Sequence, residues 1–388
     1  MTGAGSLLRL IRSGEAVTRA DLVRQTGLAR STVAQRLDAL RAHELVYEAG
    51  GSTSTGGRPP TVLMFNQGAG VVLVADLGAT HSRLVVSDLA GATLAETTFD
   101  LEIGQGPEVV LAAVHECFTA LLVEIGRRAQ DVRGIGVGVP GPVAFSRGEP
   151  VAPPIMPGWD GFSIPGWFAQ HYDGPVLVDN DVNIMALGEH WTHWRHSEHL
   201  LYVKIGTGIG CGIVSGGRIH RGSQGAAGDV GHVRLSGHDD VICRCGNSGC
   251  LEAVAGGRAL AAKLTKQGLP AHSSREVVEL VRAGEPQAIQ AVRDAGRCLG
   301  EVLAGCVNFF NPGAIVIGGD IAIAHQQLLA GVREVIFQRS LPLATGDLRI
   351  VPSRLGDRAG AVGAGIMVIE HILSPEAVDR VIQSGLAA

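Results

Sequence analysis

The chain has 388 residues, 46% of them hydrophobic and 18% charged, which excludes an intrinsically disordered protein and exceeds the size of one ordinary domain. Its net charge of −5 is spread unevenly, because residues 1–60 hold eight arginines against five acidic residues while the remainder is acidic. A basic end on an acidic body is typical of a protein that contacts nucleic acid through one domain only.

The sequence offers no candidate for a membrane span or a secretory signal. No stretch approaches about 18 uncharged apolar residues, and Arg9 and Arg12 interrupt the short apolar run near the N-terminus. We therefore expect a cytoplasmic protein without membrane contact, whose seven cysteines serve as thiols or metal ligands rather than disulfides. Its 55 glycines, about twice the usual share of about 7%, indicate a binding site built from loops.

The N-terminal segment shows the pattern of a winged helix-turn-helix domain. Apolar spacing predicts a helix that ends at Gly14, a second helix capped by Thr18 and, after a turn at Gly27, a third helix over residues 30–43. Two short strands around a loop rich in Gly, Ser and Thr, within residues 45–66, then predict a wing.

Residues 1–68, called the head below, are predicted to bind double-stranded operator DNA. The second helix of a helix-turn-helix motif presents its N-terminal residues to the major groove, where Arg pairs with guanine and Gln with adenine. A wing arginine can enter a minor groove or bind phosphate. The alternative is a small helical cap used for dimerisation. The candidate DNA-contacting residues are Arg30, Ser31, Thr32, Gln35 and Arg36 on the helix and Arg58 in the wing.

From residue 70 onward the pattern becomes rich in β-strands, and a first candidate phosphate site follows one of them. Asp76, Gly78 and Thr80 form D-x-G-x-T at the end of a buried strand. There a carboxylate can reach a metal or its water shell, and a threonine can bond a phosphate oxygen. The alternative interpretation is a hairpin turn with Asp as a turn residue.

Two more glycine-rich turns follow later strands. Gly206, Thr207 and Gly208 could bind a phosphate through backbone N–H groups, although the pattern is neither a dinucleotide fingerprint nor a Walker loop, and a plain β-hairpin is the alternative. Gly318 and Gly319 end another buried strand, as a loop that contacts adenosine would.

Between these turns a strand over residues 176–178 delivers Asn180 and Asp181 at its carboxyl end, the usual place for ligand groups in an α/β sheet. Asp181 could accept a proton from a sugar hydroxyl as a general base, while Asn180 holds a neighbouring hydroxyl. Capping of the next helix by Asp179 or Asn180 is an equally good interpretation.

One histidine and three cysteines form a candidate metal site. His232, Cys243, Cys245 and Cys250 have the spacing H-x10-C-x-C-x4-C, which fits a closed tetrahedral zinc site. A disulfide between Cys243 and Cys245 is geometrically awkward, and a catalytic thiol would not need three companions. The sequence therefore predicts a structural Zn²⁺ ion.

Together these segments resemble the ROK family, which includes sugar kinases and helix-turn-helix sugar-responsive repressors. The resemblance covers essentially the whole chain. The matching motifs are D-L-G-A-T (76–80), GIGVGVPGPV (134–143), PGW (157–159), VDNDVN (178–183), GTGIGCGI (206–213), GDVGH (228–232), CRCGNSGCLE (243–252) and VIGGD (316–320).

The resemblance implies an α/β chain in which the head precedes an actin-like (ribonuclease H-like) two-lobed ATPase fold with the sugar in the cleft. We expect a smaller lobe over residues 69–185, for which the C-terminal helix 374–388 is a candidate additional element. A larger lobe with the zinc site and the oligomer interface would span residues 186–373. The D-x-G-x-T and G-T-G turns would be its phosphate-binding parts.

The resemblance also implies roles for individual residues. Asn180 and Asp181 would contact the sugar, with Asp181 the general base if kinase activity is retained, and Glu252 would also bind the sugar. His232 would be a zinc ligand whose loop touches the sugar, and Asp229 stands where the family has Glu. In the first turn, Ala79 and His81 replace the glycine and lysine common in the kinases.

Two functions are therefore considered. The first is a sugar-responsive transcriptional regulator of carbohydrate-utilisation genes, in which the sugar site is coupled to DNA binding by the head. We expect a repressor rather than an activator only because repression is usual for regulators of the family that it resembles. The alternative is an ATP-dependent kinase for glucose or an N-acetylamino sugar, which would use ATP and Mg²⁺. The head and the altered first turn favour the regulator. A head that reads a palindrome requires a homodimer or homotetramer.

Overall fold

The computed structural model describes residues 3–50 and 61–385. Within these residues the helices are α1 (Ala4–Arg12), α2 (Arg19–Thr26), α3 (Arg30–Ala42), α4 (Pro107–Glu124), α5 (Ile164–Phe168), α6 (Asp181–His193), α7 (Leu251–Ala255), α8 (Gly257–Lys266), α9 (Ser274–Arg282), α10 (Pro286–Phe310), α11 (His325–Arg339), α12 (Pro342–Thr345), α13 (Ala359–Ile372) and α14 (Pro375–Gly385). The strands are β1 (Val46–Ala49), β2 (Val62–Phe65), β3 (Val71–Leu77), β4 (His81–Asp88), β5 (Thr93–Asp100), β6 (Val132–Val139), β7 (Val143–Ala144), β8 (Glu149–Pro150), β9 (Val176–Asn180), β10 (Leu200–Ile205), β11 (Ile209–Ser215), β12 (Arg218–Ile219), β13 (Ala314–Gly318) and β14 (Arg349–Pro352).

The elements predicted for the head are present. The hydroxyl of Thr18 accepts a hydrogen bond from the Asp21 backbone N–H, and the Asp21 carboxylate accepts one from the Thr18 N–H, so that α2 begins with a capping box. Gly27, with φ of 69°, ends α2 in the left-handed conformation that glycine adopts at low cost. Helix α3 begins without a side-chain cap, because the side chain of Ala29 has no oxygen. Strands β1 and β2 pair antiparallel.

The rest of the chain contains two five-stranded sheets with the same strand order. The first sheet is ordered β5-β4-β3-β6-β9 and the second β12-β11-β10-β13-β14. In each sheet three consecutive antiparallel strands are followed by two strands parallel to the first of them. This duplicated order is that of the actin-like sugar-kinase fold, which confirms the α/β class expected from the resemblance.

Helices α6 and α13 cross between the two sheets. Helix α6 packs on β10 and β11 of the second sheet, while α13 packs on β3 and β6 of the first. Glycines allow the two helix backbones to touch: a Cβ at Gly188 would overlap the carbonyl oxygen of Ala359, and one at Gly363 would overlap that of Ile184. The crossing therefore couples the two sheets directly.

The head is joined to the body through the C-terminal helices. Helix α1 packs on α14, where the Gly5 backbone N–H donates to the Asp379 carboxylate at 2.8 Å. Arg12 forms an ion pair of 2.9 Å with Glu370 near the end of α13. One buried apolar cluster continues from the head into α13 and α14, so the head shares its core with the body.

The predicted lobe boundaries stay predictions, and three observations bear on them. The limit at residues 185/186 falls inside α6. Helix α13, which the prediction places in the larger lobe, packs on the first sheet. Helix α14 packs mainly on α1 of the head, because its apolar face meets the apolar face of that helix.

No single helix among the described residues is long and apolar enough to cross a membrane. The consecutive helical segments Gly356–Ile372 and Pro375–Ser384 reach that length and composition only when they are taken together, and they are bent by 54° relative to each other.

We expect Gly363→Ala to lower the free energy of unfolding by about 1–3 kcal/mol, because the added methyl overlaps a backbone carbonyl that neither helix can move freely. The matched control is Gly305→Ala on the exposed face of α10, where a Cβ meets no atom within 4 Å. That variant should gain up to about 1 kcal/mol of helix stability. Thermal denaturation of both variants measures the difference, and equal melting temperatures would contradict the proposed role of the crossing.

Candidate functional site

The carboxyl ends of β3, β9, β10 and β13 meet between the two sheets, in a region called the cleft below. Asp76 lies near the end of β3, Asp181 follows β9, Lys204 lies near the end of β10, and Asp320 follows β13. The charges of Asp76, Asp181 and Asp320 all act on Lys204. Ligand groups are thus collected at the edge where parallel strands of an α/β fold usually present them.

Asp181 is the first residue of α6 and is buried, with its side chain 7% exposed. The Lys204 ammonium donates to its carboxylate at 2.5 Å. Burial lowers the pKa of Lys204, but Asp181, Asp76 and Asp320 together outweigh burial, and the pKa is raised. The two groups therefore form an ion pair, and the positive end of α6 adds to the stabilisation of the carboxylate.

Asn180 occupies the N-cap position of α6. Its side-chain oxygen accepts from the Val182 backbone N–H at 2.9 Å, and its amide nitrogen donates to the Gly141 carbonyl at 3.0 Å. The capping role considered above is therefore present. A sugar contact by Asn180 stays a prediction.

Asp179 forms a buried ion pair that the sequence reasoning missed. Its carboxylate accepts from the Arg221 guanidinium at 2.8 and 2.7 Å and from the Asn183 amide at 2.9 Å. The guanidinium also lies 3.7 Å from the centre of the Phe145 ring, a cation–π contact. Asp179 belongs to the first sheet and Arg221 follows β12 of the second, so the pair joins the two. No spacing rule signals a partner 42 residues away.

The two predicted phosphate turns are hairpins in the structure. The Gly78 N–H donates to the His81 carbonyl at 2.9 Å between β3 and β4, and the Gly206 N–H donates to the Gly208 carbonyl at 3.0 Å between β10 and β11. The hairpin interpretation therefore describes both, and phosphate binding stays a prediction. Thr80 is exposed.

Three further features surround these turns. Thr207 accepts from the Arg258 N–H at 3.3 Å through its carbonyl, which ties the second turn to α8. Gly318 ends β13, and Gly319 follows with φ of 88°. Burial raises the pKa of Asp76 to about 7.

Glu252 and Asp229 lie beside different parts of the structure. The Glu252 carboxylate accepts from the Ile209 backbone N–H at 3.0 Å and lies against Gly208, so it supports the second glycine turn. Asp229 is exposed and lies 3.9 Å from the Nε2 atom of His232. The sugar contacts expected of Glu252, Asp229 and His232 stay predictions.

The predicted metal ligands come together. Ligand atoms of His232, Cys243, Cys245 and Cys250 all lie within 4.8 Å of one another, with 3.6 Å from His232 Nδ1 to Cys243 Sγ and 3.7 Å between the sulfurs of Cys245 and Cys250. Zinc–sulfur bonds of about 2.3 Å in a tetrahedron place sulfurs about 3.8 Å apart. The cluster therefore has the composition and the spacing to hold a metal ion.

Protonation of the cysteines differs within this cluster. A hydrogen bond from the Asn247 backbone N–H lowers the pKa of Cys245 to about 7, while burial raises that of Cys250 to about 12. Since a metal binds the thiolate form, loading of the cluster would release a proton from Cys250.

The candidate DNA-contacting residues lie along the outer part of α3. Arg30, Ser31 and Gln35 are exposed, whereas Thr32 and Arg36 are half-buried. Arg58 lies outside the described residues.

Most other arginines of the head are bound by carboxylates: Arg24 pairs with Asp21 and Arg41 with Glu48. Within residues 3–50 and 61–385, Arg30 and Arg36 have no acidic partner within 4 Å.

We expect Arg221→Met to lower the free energy of unfolding by about 3 kcal/mol, because it leaves the buried Asp179 carboxylate without its cation. The control is Arg218→Met, which changes an exposed arginine three residues away. Urea denaturation of the full chain measures both. The double variant Arg221→Met/Asp179→Asn should recover part of the loss; a midpoint for Arg221→Met equal to that of the control would refute the structural role of the pair.

Comparison with known proteins agrees with this geometry. The model of the ROK family matches residues 72–371. The chain is 31% identical over 382 residues to the xylose repressor of Caldicellulosiruptor bescii, and the match covers 95% of each chain.

Two solved structures show where the likeness extends. A ROK family transcriptional regulator, described as a homologue of the Escherichia coli MLC protein, is 26% identical with a TM-score of 0.81 and covers 98% of each chain. A ROK family glucokinase from Streptomyces griseus, in complex with glucose and AMPPNP, is 27% identical with a TM-score of 0.66 and covers 77% of this chain and 99% of its own. With two sheets of repeated topology, a cleft between them and a family match through most of its length, this chain belongs to the ROK family.

Proposed function

We propose that this chain is a sugar-responsive transcriptional repressor of carbohydrate-utilisation genes. The observation that carries the proposal is the extent of the likeness. The xylose repressor and the ROK transcriptional regulator match 95% and 98% of the chain, whereas the glucokinase matches 77%. The two regulators are therefore similar to this chain over nearly its whole length. A DNA-binding regulator needs the head as well as the body.

The head is proposed to be a winged helix-turn-helix domain. The turn at Gly27 joins α2 to α3, and β1 and β2 would form the base of the wing. Arg30, Ser31, Thr32, Gln35 and Arg36 would read or bind DNA from α3, and Arg58 from the wing. Arg30 supports this assignment, because an exposed arginine that is not bound to a carboxylate is available for bases or phosphates.

The cleft is proposed to bind the sugar through Asn180, Asp181, Asp229, His232 and Glu252. Hydrogen-bonding side chains of this kind suit the hydroxyl groups of a sugar. Xylose is the first sugar to test, since the xylose repressor resembles this chain over nearly its full length.

Helix α13 supports a coupling between the cleft and the head. Its first turn lies against Asp76, because the Asp76 carboxylate occupies the space beside Gly360. Its last turn carries Glu370, which binds Arg12 of the head. A sugar that draws the two sheets together would therefore displace a helix whose far end holds the head. In a dimer, such a displacement changes the separation of the two heads and hence their fit to the operator.

The cysteine cluster is proposed to hold a structural Zn²⁺ ion. Four protein ligands would close its coordination shell, which suits a structural role rather than catalysis. The metal would connect the loop of Asp229 and His232 to the start of α7, where Glu252 supports the second glycine turn. The cysteines would thus orient carboxylates without taking part in chemistry.

For DNA binding, we expect Arg30→Ala and Gln35→Ala each to weaken operator affinity by about tenfold or more, because each removes hydrogen bonds to base edges. Fluorescence anisotropy with DNA from upstream of sugar-utilisation genes measures the affinity. Arg282→Ala on α9, an exposed arginine outside the head, is the control. Wild-type binding should weaken with added salt and with xylose or another effector. Absence of salt-sensitive binding to any such DNA would disprove the function of the head.

For the metal, we expect elemental analysis to find one zinc ion per chain. Cys245→Ser should lose the ion and melt at a lower temperature, because metal binding contributes directly to folding stability. A chelator should lower the melting temperature of the wild type and of Cys117→Ser, a half-buried cysteine outside the cluster, and should leave Cys245→Ser unchanged. Full zinc content in Cys245→Ser would refute the proposed ligand set.

A further inference from the structure

Lys204 is a residue of the cleft that none of the sequence motifs predicted. It lies on β10 two residues before Gly206, in the stretch YVKIGTG. Its register partners on the neighbouring strands are Gly210 on β11 and Gly318 on β13. Neither neighbour carries a side chain, so the lysine extends into the cleft between two glycines.

The path of the Lys204 side chain follows the second glycine turn. Its Cε lies 3.5 Å from the place that a Cβ would take at Gly206. Beyond that point its ammonium donates to the Asp181 carboxylate at 2.5 Å. The lysine thus connects the glycine turn to the residue predicted as the general base.

The surroundings of the ammonium have the composition of a divalent-cation site. Carboxylates from three separate segments, Asp76, Asp181 and Asp320, act on it electrostatically, and Asp320 is further held by the Ser274 hydroxyl at 3.1 Å. Mg²⁺ in nucleotide sites is bound by one or two carboxylates together with phosphate oxygens. Here the Asp181 carboxylate is already paired with the Lys204 ammonium.

Metal-bound nucleotide does not fit this arrangement. A divalent ion placed beside Asp181 would lie next to the Lys204 ammonium, and two like charges at such a separation repel even in water. The repulsion grows in a partly buried cleft, where Lys204 is 24% exposed. The D-x-G-x-T and G-T-G turns are retained in the sequence, but the Lys204 side chain runs beside the second turn and its ammonium binds Asp181.

We propose that Lys204 is a built-in cation that replaces the metal of a nucleotide in the cleft, so that the chain binds sugar without nucleotide. The proposal rests on the sugar-responsive function proposed above and extends it, because it explains how a kinase-type cleft serves only for recognition. Lys204 also positions Asp181, because its ammonium binds one oxygen of that carboxylate. Its second oxygen stays available to accept a hydrogen bond from that hydroxyl.

The test compares Mn²⁺ binding to the full-length, zinc-loaded chain by electron paramagnetic resonance, which detects free Mn²⁺. Lys204→Met removes the charge with little change in side-chain length. Lys204→Arg keeps the charge, and Lys266→Met alters an exposed lysine on α8 as a control. Each protein is titrated with Mn²⁺ alone and with Mn²⁺ plus a non-hydrolysable ATP analogue.

We expect Lys204→Met to bind Mn²⁺ at least about tenfold more tightly than the wild type, because the buried Asp181 carboxylate then lacks its cation. Lys204→Arg and Lys266→Met should behave as the wild type, and Lys204→Met/Asp181→Asn should lose the gain. Wild-type binding of Mn²⁺ and the ATP analogue as tight as that of Lys204→Met would overturn the proposal. So would a folded Lys204→Met that binds Mn²⁺ no better than the wild type.

Two additions keep the result decisive. If Lys204→Met does not fold, Lys204→Gln replaces it, and the wild-type titration with the ATP analogue still opposes the proposal if it shows binding. No arm of the experiment involves DNA. Failure of the head to bind an operator therefore overturns the repressor function and leaves the outcome for Lys204 unaffected.

Discussion

The contact between α6 and α13 is the constraint on which the rest of the structure depends. Gly188 and Gly363 let the two helix backbones touch, and a single methyl group at either position would separate them. Each helix lies on a different sheet, and each begins at the cleft: α6 with Asp181, and α13 beside Asp76. The spacing of the two helices therefore sets the distance between the carboxylates that a ligand would meet.

Two adjacent carboxylates on the first-sheet side of the cleft are matched by cations from the second-sheet side. Asp179 binds Arg221, and Asp181 binds Lys204. In a partly buried setting such pairs are strong only while both members stay together, since either charge alone would be costly to bury. They hold the two halves in register, and a ligand that takes over one of these bonds changes the energetics of the whole cleft.

The cysteine cluster and the head contact this arrangement at different elements. Through Glu252 the cluster reaches the second glycine turn, beside which Lys204 runs toward Asp181. Through Arg12 and Glu370 the head is bound to the far end of α13. The cysteine cluster, the cleft and the head are thus connected through a short series of packed elements.

Local features of this protein could be deduced from the sequence alone, because they depend on residues that are neighbours along the chain. The capping box of Thr18 and Asp21, the turn at Gly27 and the close spacing of Cys243, Cys245 and Cys250 belong to this class. Contacts between distant segments could not be deduced, because a periodic sequence pattern does not identify which side chain of another strand or helix will be in contact. The pairing of Asp179 with Arg221, the entry of Lys204 into the cleft and the glycine contact of α6 with α13 were decided only when folding brought two similar sheets face to face.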